Sequence, residues 1–96
     1  MDEKELNALR DSVRQIDKDL LALFEKRISL SKEIAQYKLK AELPIYDAKR
    51  EEKNIRELSS LIEDSAVRDH FVSWYQMLMD ISKKIQKMSF RGTRDE

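Results

Sequence analysis

The chain has 96 residues, with 19 Lys and Arg against 19 Asp and Glu, so its formal net charge is zero. It has no Cys and one His, which excludes a disulfide framework, a thiolate nucleophile and a Cys-based zinc site, while its balanced charge disfavours nonspecific nucleic-acid binding. With one Gly and one Pro it has few residues that favour tight turns, so we expect a helical protein. It has no apolar run long enough to span a membrane, and its charged start does not resemble a signal peptide, so we expect a cytoplasmic protein without membrane or nucleic-acid partners.

The first predicted element is a long helix. Apolar residues recur at alternating steps of three and four from Leu6 to Tyr37, which is the a/d pattern of a packed helix, and neither Gly nor Pro interrupts them. A helix of about 34 residues is ~50 Å long. A compact domain of this size has a radius of gyration of only ~12–13 Å. The helix would therefore extend beyond any compact monomer built from the remaining residues, and we predict that two chains dimerise along it.

A loop and a second, short helix follow. The apolar period breaks over residues 40–47, and Pro44 disfavours helix at the residue before it. Asp47 is a good N-cap, because its carboxylate can accept the free amide groups of a first turn. The apolar stripe after it predicts a second helix that ends at about Glu63.

The third predicted helix begins after a cap at residues 63–65 and carries an apolar stripe from Val67 to Met88. It is expected to end near Phe90, because Gly92 resembles a C-terminal stop. We assign residues 1–90 to one helical domain and residues 91–96 to a mobile polar tail.

Arg27 occupies a position in the first helix where the apolar pattern calls for Leu, and no acid lies three or four residues away. Either its stem packs on Phe24 and its head snorkels to water, or it belongs to an anion site, since a desolvated guanidinium needs an anionic partner. Lys38 returns to nearly the same face ~16 Å further along. Arg10 lies ~25 Å back and is rotated by about 260°, so it could reach the same ligand only from a partner chain.

Two further groups of polar residues have regular helical spacing. Asp47, Arg50 and Glu51 share one face at the start of the second helix. They could form a helix cap with local ion pairs, or they could offer a ligand one guanidinium together with acceptors for its hydroxyl. Ser82 and Gln86 stand four apart beside the third stripe, where solvent-facing residues would look the same.

The remaining conspicuous residues have simple structural interpretations. We expect His70 to be a surface or boundary residue and residues 74–79 to belong to the core. We expect the cationic group near the end of the third helix to be solvated, and its members are Lys83, Lys84, Lys87 and Arg91.

Considered jointly, these residues resemble the all-helical chorismate mutase family over about residues 5 to 88. The matching pieces are Leu9-Arg10, Ile16-Asp17, Arg27, Lys38, Pro44-Ile-x-Asp47-x-x-Arg50-Glu51 and Ser82-x-x-x-Gln86. The resemblance implies an all-α chain of three helices, one very long, one short and one C-terminal, in an intertwined homodimer. Each of its two sites would be built from one chain plus an arginine of the other.

The resemblance also implies the activity, a Claisen-type rearrangement of chorismate to prephenate in phenylalanine and tyrosine biosynthesis, with neither metal nor cofactor. Arg27 and Arg10 of the partner subunit would grip substrate carboxylates, helped by Ser82. Lys38 and Gln86 would donate hydrogen bonds to the ether oxygen, where negative charge develops. Arg27, Lys38 and Gln86 are thus the expected catalytic residues.

Asp47 and Glu51 would hold the substrate hydroxyl, with Arg50 nearby. This intact set resembles the mutases more closely than the isochorismate-pyruvate lyases of the same fold, which are one alternative. A noncatalytic helical dimerisation module is the other, since heptads alone would suffice for it. Gln86 in place of Glu predicts that activity does not require acid pH.

Overall fold

The protein is all-helical in the computed structural model, which describes the backbone of residues 1–95 and the side chains of residues 1–90. Its helices are α1 (Glu3–Lys40), α2 (Ala48–Ser59) and α3 (Ser65–Asp95), and this described part contains no strand. None of these helices is long and apolar enough, over the described residues, to cross a membrane. The three predicted helices and their order are therefore confirmed.

The chain divides into two compact units, Met1–Leu30 and Ser31–Glu96. The first unit consists of the N-terminal part of α1, which Asp2 caps by accepting a hydrogen bond from the Glu5 amide at 2.8 Å. Its apolar stripe is exposed: the side chains of Leu9, Val13, Ile16, Leu20 and Leu23 are 49–62% exposed. An apolar stripe of this extent is typical of a helix that packs on a partner.

Helix α1 is uninterrupted over its 38 residues, slightly longer than predicted. It ends in a Schellman motif: the Leu43 amide donates to the Lys38 carbonyl at 2.8 Å, and the Glu42 amide to the Leu39 carbonyl at 3.3 Å. Glu42 takes the left-handed conformation that this motif requires, with φ 57°. Pro44 follows two residues later, so the predicted loop is confirmed.

Helix α2 begins as predicted but ends earlier. Asp47 is its N-cap, with an extended backbone and a side chain that accepts the amide of the third residue after it at 3.1 Å. The helix ends at Ser59, not near Glu63. The Ser60 hydroxyl donates to the Glu57 carbonyl at 2.7 Å, and such local side-chain bonds compete with helix continuation.

Helix α3 is capped by Asp64, whose carboxylate accepts the Ala66 amide at 2.9 Å, as predicted. It continues to Asp95 and therefore past Phe90, where we predicted its end. Gly92 does not stop it, because a glycine inside a helix costs only about 1 kcal/mol unless it adopts a positive φ. That residues 91–96 form a mobile polar tail stays a prediction, since their side chains lie outside the described part.

In the second unit, α2 packs against α3, and half of the buried residues that the structure describes there are polar. The buried residues among those described are Ala35, Tyr75 and Met79 together with Ser31, Ser82 and Gln86. By contrast, Val67, Trp74 and Met88 of the predicted stripe are 51–65% exposed. The buried face of α3 is thus rotated from the predicted stripe, and the residues at 74–79 are only partly core.

Candidate active site

Gln86 is the most informative residue of the second unit, because its amide is buried in a helix face that would otherwise be core. It is 7% exposed, and its Nε2 donates to the backbone carbonyl of Ser31 at 3.1 Å. A carbonyl can only accept, so this contact fixes which end of the amide is the NH2 group. That group has two N–H donors, and the contact uses one. The second donor is available to a ligand.

Ser82 lies one turn before Gln86 on the same buried face. It is 7% exposed, and its hydroxyl donates to the Leu78 carbonyl at 3.0 Å. Burial of hydroxyl and amide groups lowers stability unless they are hydrogen-bonded, so a helix that needs only a core has no reason to bury them. The interpretation of Ser82 and Gln86 as solvent-facing is therefore wrong.

Lys38 lies in the last turn of α1 and is half-buried. Its ammonium donates to the Ile45 carbonyl of the following loop at 2.8 Å. An ammonium group has three donors, so this bond fixes its position while leaving donor capacity for an anion. Lys38 also lines an open groove of about 600 Å³, together with Glu42, Leu43, Pro44 and Phe90.

The three charged residues at the start of α2 differ in environment. Asp47 is exposed and its carboxylate caps the helix, and Arg50 is exposed as well. Glu51 instead faces α3, with a side chain that is 15% exposed. Of this set, Glu51 is thus the residue that the fold holds in place.

Glu51 is held by a network that the sequence pattern does not indicate. The Lys83 ammonium lies 3.0 Å from Oε2 of Glu51 and 3.2 Å from Oδ1 of Asp80, and it sits 4.5 Å from the centroid of the Tyr46 ring. Gln76 donates to both carboxylates, at 3.3 Å to Glu51 and 3.0 Å to Asp80. The expectation that Lys83 belongs to a solvated helix end is wrong, although Lys84 and Lys87 are exposed.

The charges in this network shift two pKa values. Burial alone would lower the pKa of Lys83, but hydrogen bonds to Glu51 and Asp80 outweigh it and hold that pKa above its ordinary value. Hydrogen bonds from Gln76 and then Lys83 lower the pKa of Asp80. At neutral pH the Lys83 ammonium and the Asp80 carboxylate are therefore both charged.

The two remaining predicted site residues lie in the first unit. Arg10 is exposed, one residue after Leu9 of the apolar stripe, and Arg27 is half-buried. The other six, namely Lys38, Asp47, Arg50, Glu51, Ser82 and Gln86, all lie in the second unit. Across residues 1–90, no three His, Asp or Glu side chains are grouped as the ligands of a metal ion would be.

Comparison with known proteins adds a family match. The model of the chorismate mutase type II family matches residues 9–87, a range that includes all eight predicted site residues. The chain is 27% identical over 94 residues to a chorismate mutase of Methanocaldococcus jannaschii, which covers 97% of this chain and 95% of that protein.

Two relatives from Enterobacter agglomerans are longer proteins. The chain is 34% identical over 83 residues to a bifunctional chorismate mutase/prephenate dehydratase, covering 85% of this chain and 21% of that protein. It is 29% identical over 92 residues to a T-protein, covering 96% of this chain and 23% of that protein. The chain thus spans less than a quarter of either relative. No solved structure was found to match it significantly.

Proposed function

The chain belongs to the chorismate mutase type II family, and from this premise we propose the site in which it rearranges chorismate to prephenate. The family and the names of its relatives support chorismate mutase activity, an isomerisation in aromatic amino acid biosynthesis. The observation that carries the proposed site is the buried, oriented amide of Gln86, hydrogen-bonded to the backbone of α1. We also propose that the enzyme acts in the cytoplasm, as suits a biosynthetic enzyme.

The reaction breaks the carbon–oxygen bond of an ether and forms a carbon–carbon bond within the same molecule. It conserves all atoms and needs neither a nucleophile nor an obligatory proton transfer. Catalysis must then come from holding the reactive conformer and from donors placed where negative charge develops on the ether oxygen. We assign these donors to Gln86 and Lys38, each of which is fixed by a bond to a backbone carbonyl.

The substrate is a dicarboxylate, so its ends require cations. We propose Arg27 and Arg10 of the partner subunit for this task, with Ser82 as an additional donor when its single O–H turns from the Leu78 carbonyl to the substrate. Their support is the sequence pattern, because guanidinium groups bind carboxylates through a planar two-donor fork. For the ring hydroxyl we propose Asp47 and Glu51 as acceptors, with Arg50 nearby.

We propose that the enzyme is an intertwined homodimer. The support is the exposed apolar stripe of residues 9–23, which recurs with coiled-coil spacing and is 49–62% exposed at its main positions. A second copy of the same chain would cover this stripe, and it would also supply Arg10 from the partner subunit.

The test of the activity is to incubate the purified protein with chorismate, follow its absorbance and identify prephenate as the product. Isochorismate is tested in parallel, since pyruvate release from it would favour the lyase alternative. Absence of turnover by a folded dimer would contradict the proposal. A noncatalytic dimerisation module would also show no shift in melting temperature with chorismate analogues, and it would gain stability from Arg27→Leu.

The test of the site is alanine substitution. Arg27→Ala, Lys38→Ala and Gln86→Ala should each lower kcat/KM at least about 10²-fold, because each removes a donor to the ligand or transition state. Lys87→Ala, on an exposed lysine next to Gln86, is the matched control and should leave the rate unchanged. Near-normal rates in all three folded variants would show that the assignment is wrong.

A further inference from the structure

We propose that Lys83, assisted by Gln76, is a positioning residue that orients the Glu51 carboxylate so that it accepts the hydrogen bond of the substrate hydroxyl. This inference rests on the proposed function. Both residues lie on α3, outside the eight site residues predicted from the sequence, and they contact Glu51 across the interface of α2 with α3.

The contacts fix both oxygens of the carboxylate. Oε1 of Glu51 accepts from Gln76 at 3.3 Å and from Lys83 at 3.3 Å, and Oε2 lies 3.0 Å from the Lys83 ammonium. A carboxylate has about four acceptor positions, so these contacts use three of them. The position that is left is on Oε2, and a single available acceptor suits a single hydroxyl donor.

Lys83 is itself held more firmly than a surface lysine. Asp80 binds its ammonium at 3.2 Å, the Tyr46 ring lies beneath it at 4.5 Å, and its side chain is 22% exposed. Tyr46 belongs to the loop before α2, so the ammonium joins that loop, α2 and α3. A long side chain fixed on three sides can define the direction of its partner carboxylate.

The position of the Lys83 ammonium beside Glu51 also suits an acid near a dianionic ligand. A lone carboxylate near two substrate carboxylates would weaken binding by repulsion, because like charges disfavour each other at short range. The Lys83 ammonium is in direct contact with Glu51 and weakens this local repulsion, although it is shared with Asp80 and the network keeps a net charge of −1. Lys83 also lies about 60° around α3 from Gln86, so the network borders the face that bears the proposed ether-oxygen donor.

The experiment compares two substrates: chorismate and the analogue with hydrogen in place of the ring hydroxyl. Lys83→Met should lower kcat/KM for chorismate about tenfold, mainly through a higher KM, because a hydroxyl contact is made in both ground and transition states. For the deoxy analogue the same variant should change kcat/KM less than about twofold. The preference for chorismate is the ratio of its kcat/KM to that of the deoxy analogue, and Lys83→Arg should restore most of the preference that Lys83→Met loses.

Matched variants separate the positioning of Glu51 by Lys83 from the effect of losing a positive charge on α3 and from the effect of misfolding. Lys84→Met removes the same charge from an exposed neighbour on α3 and should leave both substrates unaffected. Gln76→Leu removes one of the three contacts and should reduce the same preference by a smaller factor, which tests the inference should Lys83→Met fail to fold. In a Glu51→Gln background, Lys83→Met should have no further effect on the preference.

The outcomes are distinct. If the unchanged protein turns over chorismate but Lys83→Met alters neither substrate, or lowers both equally, the positioning role is wrong and the proposed function stands. If the unchanged protein does not turn over chorismate, the proposed function fails, and this inference fails with it.

Discussion

Gln86 combines a structural and a chemical requirement in one side chain. Its amide must donate to the Ser31 carbonyl at 3.1 Å, and in the proposed site its second N–H faces the ether oxygen. A carboxylate at the same place could do neither, because it has no hydrogen to donate. The neutral amide is therefore suited to activity across the neutral pH range.

Gln86→Glu should make an activity that does not depend on acid pH require it. The new carboxyl group would be buried and would face a carbonyl oxygen, and both effects raise its pKa above the usual value of about 4.3. We expect kcat/KM at pH 7.5 to fall at least about 10²-fold and to recover about tenfold per pH unit on acidification. The pH profile of kcat/KM is the measurement. A profile as flat as that of the unchanged protein would contradict the role of Gln86 as a donor.

The raised pKa of Lys83 predicts how its contribution to stability varies with pH. A group whose pKa is raised in the folded state contributes its full stabilisation below the ordinary lysine value, about 10.5, and loses it as the pH rises through the folded value. The difference in unfolding free energy between the unchanged protein and Lys83→Met should be at most about 1 kcal/mol and constant between about pH 6 and 9. It should shrink above about pH 10.5.

Urea unfolding at a series of pH values measures this difference. Lys84→Met, on an exposed residue, is the control and should show a smaller difference. A difference that vanishes near neutral pH would mean that the ammonium is not paired in the folded protein.

The burial of Ser82 and Gln86 could not be predicted from the sequence, for a physical reason. Helix α3 has two adjacent faces that can each be buried, and the apolar stripe marks one of them, on which Val67 and Trp74 are more than half exposed. The face that contacts the rest of the chain contains Tyr75 and Met79 with two polar residues. Periodicity ranks faces by hydrophobicity alone, so it selected the wrong one.

At the scale of the elements, the end of α1 shows a backbone conformation that its residue does not favour. Glu42 has φ 57°, which is the left-handed region that glycine adopts without steric cost. The Schellman motif requires this conformation, because it directs the Leu43 amide to the Lys38 carbonyl. No glycine marks this position in the sequence, although Pro44 indicated the loop.

Glu42→Gly should therefore stabilise the protein by about 0.5 kcal/mol, since relief of the left-handed cost of about 1–2 kcal/mol exceeds the added entropy of the unfolded chain. Chemical unfolding monitored by circular dichroism is the measurement. Glu42→Ala is the control, because alanine has the same steric cost and should leave stability nearly unchanged. Destabilisation by Glu42→Gly would show that the side chain of Glu42 itself stabilises the turn.

The element boundaries were predictable where capping chemistry was explicit. Asp47 and Asp64 accept backbone amides at the starts of α2 and α3, as their sequence positions indicated. The end of α2 at Ser59 was not predictable from its apolar stripe. Besides the local bond of the Ser60 hydroxyl, Arg68 of α3 donates from its guanidinium to the carbonyls of Ser59, Ile62 and Glu63, at and just after this end. Such a tertiary contact leaves no local sequence pattern.

At the scale of the whole molecule, the length of α1 and its exposed stripe both support the proposed dimer. The sequence predicted a long N-terminal helix, and α1 extends over 38 residues. The proposed site could be named from the sequence as residue types in order, but the contacts of Lys83 and Gln76 with Glu51 could not, because they join residues 32 and 25 positions apart in the chain. Only the fold brings such residues together.

If two chains build each site, mixing two inactive variants restores activity. Arg10→Ala and Arg27→Ala protein are each purified, mixed in equal amounts and allowed to exchange subunits, and the rate of prephenate formation from chorismate is measured. Half of the dimers are then mixed, and each mixed dimer has one intact site of its two, so the mixture should recover about a quarter of the unchanged protein's rate.

Mixing Arg27→Ala with Lys38→Ala is the control. Both residues are proposed to serve the site from the same chain, so every site in the mixed dimer is defective and no rate should return. Recovery of about a quarter of the rate in the first mixture and none in the second is the result we predict. No recovery in the first mixture despite confirmed subunit exchange, or equal recovery in both, would contradict a site shared between two copies of this chain.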